Sequence, residues 1–124
     1  MTILFIAIFG GLGGMCRYLL GISIPNVWGI PLVTLLVNII GSFCLPIWNN
    51  YLGLKLNNKI KVAIGTGFIG AFTTFSGMII DILKMYLTNN YSGLVIYILA
   101  SIVLGFVAAL LGMKTAMFFK KEAK

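Results

Sequence analysis

The side chains able to do chemistry in this sequence stand inside apolar stretches, where a bilayer would exclude them. Arg17 lies in the stretch Ile3–Ile22. A charge at that depth must snorkel outward, pair, or face a water-filled cavity. Thr34, Asn38 and Ser42 recur every four residues, which puts them on one stripe of a helix. Tyr97 and Ser101 share a face in the same way, and Gly105 continues it. Such stripes either join helices through hydrogen bonds or line a polar path. The run Gly65-Thr66-Gly67-Phe68-Ile69-Gly70-Ala71-Phe72-Thr73-Thr74-Phe75-Ser76-Gly77-Met78 holds four glycines, three threonines and a serine. Glycine and consecutive threonines weaken a helix, and a carbonyl freed in hydrocarbon must find another partner. The pattern predicts a broken helix whose exposed carbonyls can hold a cation. Close packing through small residues is the alternative reading.

Catalysis has no constellation to stand on. There is no His, and the only carboxylates are Asp81 and Glu122. Paired acids, metal ligands and activated nucleophiles are all missing, so the chain is not expected to be an enzyme. Asp81 has Lys84 three residues on, in reach on a helix, and a local ion pair is expected there. Cys16 and Cys44 fall in apolar stretches and read as small hydrophobes, not as a disulfide or metal site.

The elements that must position these residues follow from composition. Hydrophobic residues make up 60% of the 124 and charged residues 9%. Soluble domains run at about 45–50% and about 25%, so there are too few polar side chains to coat a soluble fold. The apolar surface must face lipid. Four stretches reach the roughly 20 residues that cross a bilayer as helix: Ile3–Ile22, Leu32–Leu52, Val62–Leu87 and Leu94–Phe119. The expected fold is therefore all-α and integral to the membrane, one domain of four transmembrane helices, with the third broken near mid-membrane. The first connection carries Pro25, Trp28 and Pro31, the second is polar and basic, and the third is polar and uncharged. Gly10 and Gly14 stand at GxxxG spacing and predict a close-packing face. The first stretch lacks a basic leader and is too long for a signal peptide, so it reads as an uncleaved helix.

The net charge of +7 would suggest nucleic acid in a soluble protein; here its distribution argues topology, and no nucleic-acid partner is expected. Lys55, Lys59, Lys61, Lys114, Lys120, Lys121 and Lys124 lie on or near the side shared by both termini. Only Arg17 and Lys84 belong to the other. By the positive-inside rule, both termini are expected in the cytoplasm, the chain being multi-pass in the cell membrane.

Three motifs carry a family resemblance. Gly10-Gly11-Leu12-Gly13-Gly14-Met15-Cys16-Arg17-Tyr18 resembles the GxxGxxxRY signature of the Fluc (CrcB) fluoride channels. Thr34-Leu35-Leu36-Val37-Asn38-Ile39-Ile40-Gly41-Ser42-Phe43 resembles that family's TLxVNxxGSF. Gly67-Phe68-Ile69-Gly70-Ala71-Phe72-Thr73-Thr74-Phe75-Ser76 resembles its GFxGGxTTFS, with Ala71 replacing a glycine. The resemblance implies an antiparallel dimer of four-helix subunits, with anion pathways along the subunit interface. It implies a structural sodium ion held by the carbonyls of Gly70 and Thr73. It places Arg17 near the pore, Asn38 along the path, and Phe75 among the pore phenylalanines, with Thr34, Ser76, Tyr97 and Ser101 as polar tracks. The positive ring edge and neutral donors suit an anion that must bind weakly to move. Fluoride would leave the cytoplasm passively.

The chain departs from that pattern where Met78 replaces a second pore phenylalanine, where Gly105 replaces a serine, and at Pro46. A thioether lacks the ring's positive edge. An antiparallel homodimer needs a chain that inserts both ways, and the lysine bias favours one. The expected partner is therefore another copy of this chain or an oppositely inserted homologue, as in the family's two-gene channels. The alternatives are a small multidrug-type transporter, which would need a carboxylate in the first helix, and a non-conducting scaffold subunit.

Overall fold

The computed structural model describes residues 1–122; Lys124, counted above among the basic residues, lies outside the described residues. Four helical spans are long and apolar enough to cross a membrane: Thr2–Ser23, Leu32–Lys55, Asn58–Leu87 and Tyr91–Glu122, of 22, 24, 30 and 32 residues. No strand occurs among the described residues. The protein is an all-α, multi-pass membrane protein.

Helix α1 is Thr2–Ser23 and α2 is Leu32–Asn50, followed by a 3-10 turn at Leu52–Lys55. The third span is composite. It runs as α3 (Asn58–Val62), a π-helical segment (Ala63–Ile69), α4 (Gly70–Phe72) and α5 (Phe75–Leu87). Between α4 and α5, Thr73 and Thr74 are extended, with ψ of 154° and 115°. Helix α6 is Tyr91–Glu122. The third and fourth spans begin earlier than the apolar pattern predicts because polar residues cap them. Asn57 accepts from the Lys59 amide at 3.0 Å, and Asn90 accepts from the Gly93 amide at 3.2 Å. The Asn90 side chain also donates to the Trp28 carbonyl at 3.1 Å, which stitches the first connection to the third.

The helices pack in two pairs. Helix α1 lies chiefly on the π-helical segment, and α2 lies chiefly on α6. Both contacts are backbone-close. A methyl group at Gly13 would run into the Phe68 carbonyl, and one at Gly112 into the Phe43 carbonyl. The packing face of α1 therefore runs through Gly10 and Gly13 and not, as expected, through Gly10 and Gly14, since Gly14 faces open space. Helix α5 rests on α6 and touches α2 lightly. The buried core is thin: Val37, Ala63, Tyr97 and Ala116 are sealed, while Ile3, Ile102 and Phe106 stand outward. Outward apolar side chains are what a lipid-facing surface requires.

Candidate ion-handling sites

The extended pair Thr73–Thr74 is held from a distant helix. The Thr74 amide donates to Asn38 Oδ1 at 2.8 Å, and Asn38 Nδ2 donates to the Thr74 carbonyl at 3.1 Å. One side-chain amide thus replaces both bonds that the Thr74 backbone would make in a helix. Thr74 also starts α5, its hydroxyl accepting from the Gly77 amide at 2.9 Å, an N-cap. These bonds determine which carbonyls are left over. In an uninterrupted helix the Gly70 carbonyl would accept from the Thr74 amide, and the Thr73 carbonyl from the Gly77 amide. Both amides are engaged elsewhere. The Gly70 carbonyl keeps only a long bond from the Thr73 hydroxyl, at 3.3 Å.

Two carbonyls freed in this way are hard oxygen donors without charge, a donor set that fits a sodium ion. Two carbonyls are too few to surround a cation, so one bound here would need further ligands. No cluster of His, Cys, Asp or Glu able to hold a metal occurs among the described residues.

Beside this point lies a groove of about 250 Å³ lined by Asn38, Gly41, Ser42, Leu45, Thr73, Thr74 and Phe75. Phe75 opens α5 and is 74% exposed. Asn38 spends one of its two amide hydrogens on Thr74, which leaves the second as a donor. Pro46 brings no amide to the Ser42 carbonyl, so α2 is more polar at Ser42 than an unbroken helix would be. The Thr74 and Ser76 hydroxyls lie 3.3 Å apart. A groove with neutral donors and an exposed ring can hold an anion loosely.

A second cavity, of about 440 Å³, is lined by residues that include Arg17, Tyr18, Asn26, Thr34, Asp81 and Lys84. Thr34 donates to Asp81 Oδ2 at 2.6 Å. The Asp81 bond thus runs across to α2 and not to Lys84, the ion-pair partner expected from spacing. Tyr97 is fully buried with Thr34 and Asp81 beside its hydroxyl, yet that hydroxyl has no bond of standard geometry. Arg17 Nε is likewise buried without a partner.

The expected site residues therefore divide. Asn38, Thr73 and Phe75 come together at the groove, with Ser76 at its edge through Thr74. Arg17 and Thr34 line the second cavity, and Tyr97 is buried beside Thr34 and Asp81 without lining it. Ser101 turns back on its own helix, donating to the Tyr97 carbonyl at 2.7 Å. Met78 is half-buried and lines neither cavity. Gly105 faces Ser42, whose hydroxyl would lie 3.9 Å from a methyl group there. Two roles are not expected from sequence: Thr74 as the cap of α5 and Asp81 as the partner of Thr34. Thr74 had a local signal, a threonine three residues before the amide it caps. Asp81 as the partner of Thr34 had none.

A protein-family model described as "CrcB-like protein, Camphor Resistance (CrcB)" matches residues 4–113. The chain is 41% identical over 105 residues to "Fluoride-specific ion channel FluC 1" of Latilactobacillus sakei, covering 83% of this chain and 78% of that one. It is 39% identical over 113 residues to "Fluoride-specific ion channel FluC" of Methanopyrus kandleri, covering 90% and 86%. To "Fluoride-specific ion channel FluC 2" of Listeria monocytogenes it is 38% identical over 118 residues, covering 90% and 88%.

Proposed function

The chain belongs to the CrcB-like protein family, and we propose that it is one subunit of a channel that lets fluoride leave the cytoplasm passively. The observation that carries this reading is the junction at Thr74, where a donor-lined groove, an exposed Phe75 and released carbonyls meet at one interruption of an apolar span. Relatives named as fluoride-specific channels support the choice of anion. Fluoride enters cells as its neutral acid and dissociates inside, so a passive exit suffices and no energy coupling is needed.

Within this reading the groove is half of a path. A second subunit, inserted the opposite way, closes it, and the carbonyls of Gly70 and Thr73 would hold a sodium ion. Such an ion would supply a fixed positive centre beside these carbonyls. Asn38 and Ser42 offer donors, the Phe75 edge offers partial positive charge, and no cationic side chain is among the groove's lining residues to trap the anion. The basic connection and the α6 end sit in the cytoplasm. That one-sided charge favours an oppositely inserted homologue as the second subunit over another copy of this chain.

A scaffold role is the second reading, favoured by Met78, whose side chain reaches neither cavity. Growth of a bacterium lacking its own fluoride exporter distinguishes them. The proposal expects resistance to fluoride when this chain is expressed with an oppositely biased homologue. Loss of that resistance on substituting Asn38 here would assign the conducting groove to this chain. Resistance indifferent to Asn38, Ser42 and Phe75 would leave it a scaffold.

A further inference from the structure

The end of the bundle formed by the second connection and the last turns of α6 carries lysines, aromatic rings and leucines side by side. Lys55 Nζ lies 5.1 Å from the centre of the Tyr51 ring. That ring meets Phe119 at 5.5 Å, and Lys120 and Lys121 follow Phe119 directly. On the other side of the 3-10 turn, the Trp48 indole donates to the Lys61 carbonyl at 3.0 Å. The start of α1 is near too, since α1 packs on α3. Among the described residues the only carboxylate on these elements is Glu122.

We propose that this end binds the phosphate of an anionic phospholipid, with Lys55, Lys61 and Lys120 around the headgroup. The leucines identify the ligand as a lipid and not a free anion. Leu52, Leu54 and Leu56 are 47%, 54% and 44% exposed, interleaved with Lys55 on a turn that is too short to bury them. Exposed leucines do nothing for a dissolved phosphate, whereas beside a headgroup they meet acyl chains. Tryptophan and tyrosine are suited to the same level of the bilayer. Clustered lysines at a membrane surface attract anionic lipid, and basic pockets between helices hold its headgroups. Lysine stems can lie along the apolar surface while their ammonium groups reach the phosphate. The site is separate from the groove and does not depend on what the groove conducts.

The chain's two tryptophans make the test direct, because Trp48 is at this end and Trp28 is in the first connection at the other. A Trp28→Phe variant, reconstituted in phosphatidylcholine bilayers, reports through Trp48 alone. Brominated phosphatidylglycerol at low mole fraction should quench Trp48 several-fold more than brominated phosphatidylcholine at the same fraction. The excess should vanish when Lys55, Lys61 and Lys120 are all changed to Gln. It should also fall in about 1 M salt, where screening acts over about 3 Å, a readout that leaves the native lysines in place. Equal quenching by the two lipids, or a preference that survives both the Gln changes and salt, would overturn the assignment.

Discussion

Asn38 is the residue on which the site's geometry turns. Its amide makes two bonds to Thr74, and only an amide can donate and accept in that arrangement. Asn38→Asp keeps the acceptor, loses the donor, and sets a carboxylate oxygen against the Thr74 carbonyl. The Asn38–Thr74 bonds are part-buried, so losing one with its partner left unsatisfied belongs at the lower end of the roughly 1–3 kcal/mol that a buried bond costs. Thermal unfolding in detergent should show Asn38→Asp clearly below the parent, and fluoride flux should fall with it; an unchanged midpoint would mean that Thr74 is held by something else. Thr74→Ala removes the cap on α5 at a cost of about 1 kcal/mol, and Thr74→Ser should restore most of it. Thr34 and Asp81 allow a cleaner test because each is the other's partner. A cycle of Thr34→Val and Asp81→Asn should show coupling of about 0.5–3 kcal/mol, and strict additivity would deny the bond.

At the scale of elements, close backbone approach orders the helices, and the glycines of α1 are not equivalent. Gly13→Ala pushes a methyl group into the Phe68 backbone, where no flexible side chain can give way. Overpacking costs about 1–3 kcal/mol, and this position belongs at the upper end. Gly14→Ala enters open space and should stay within about 0.5 kcal/mol of the parent. Unfolding midpoints for the pair measure this, and equal losses would contradict the packing face. The same scale explains what could be read in advance. Apolar length located all four spans; the third and fourth start earlier where Asn57 and Asn90 cap them, and the second and fourth run on past Leu52 and Phe119 to Lys55 and Glu122. The polar stripe of α2 divided for a geometric reason. Steps of four residues drift by about 40° each on a helix with 3.6 residues per turn, so Thr34 and Ser42 point about 80° apart. They meet different neighbours, Asp81 and the Phe75 groove. The Asn38–Thr74 bonds join positions 36 apart in sequence, and no local pattern announces such a link.

For the whole molecule, lysine distribution and outward apolar side chains bear on how the chain inserts and what it assembles with. With Lys55, Lys59 and Lys61 in one connection, reporter fusions at the second and third connections should place the second in the cytoplasm in nearly every molecule. Changing those three lysines to Gln should yield a mixed orientation. A mixed orientation in the parent would remove the argument for a different partner. The central claim, that this chain contributes a fluoride-conducting path, is tested most directly by efflux from proteoliposomes followed with a fluoride electrode. The protein is reconstituted alone and together with an oppositely biased homologue. The account predicts rapid fluoride efflux from the pair, with chloride excluded, at a rate independent of pH and abolished by Asn38→Asp in this chain. Absence of fluoride efflux from both preparations, with folded protein present, would contradict it.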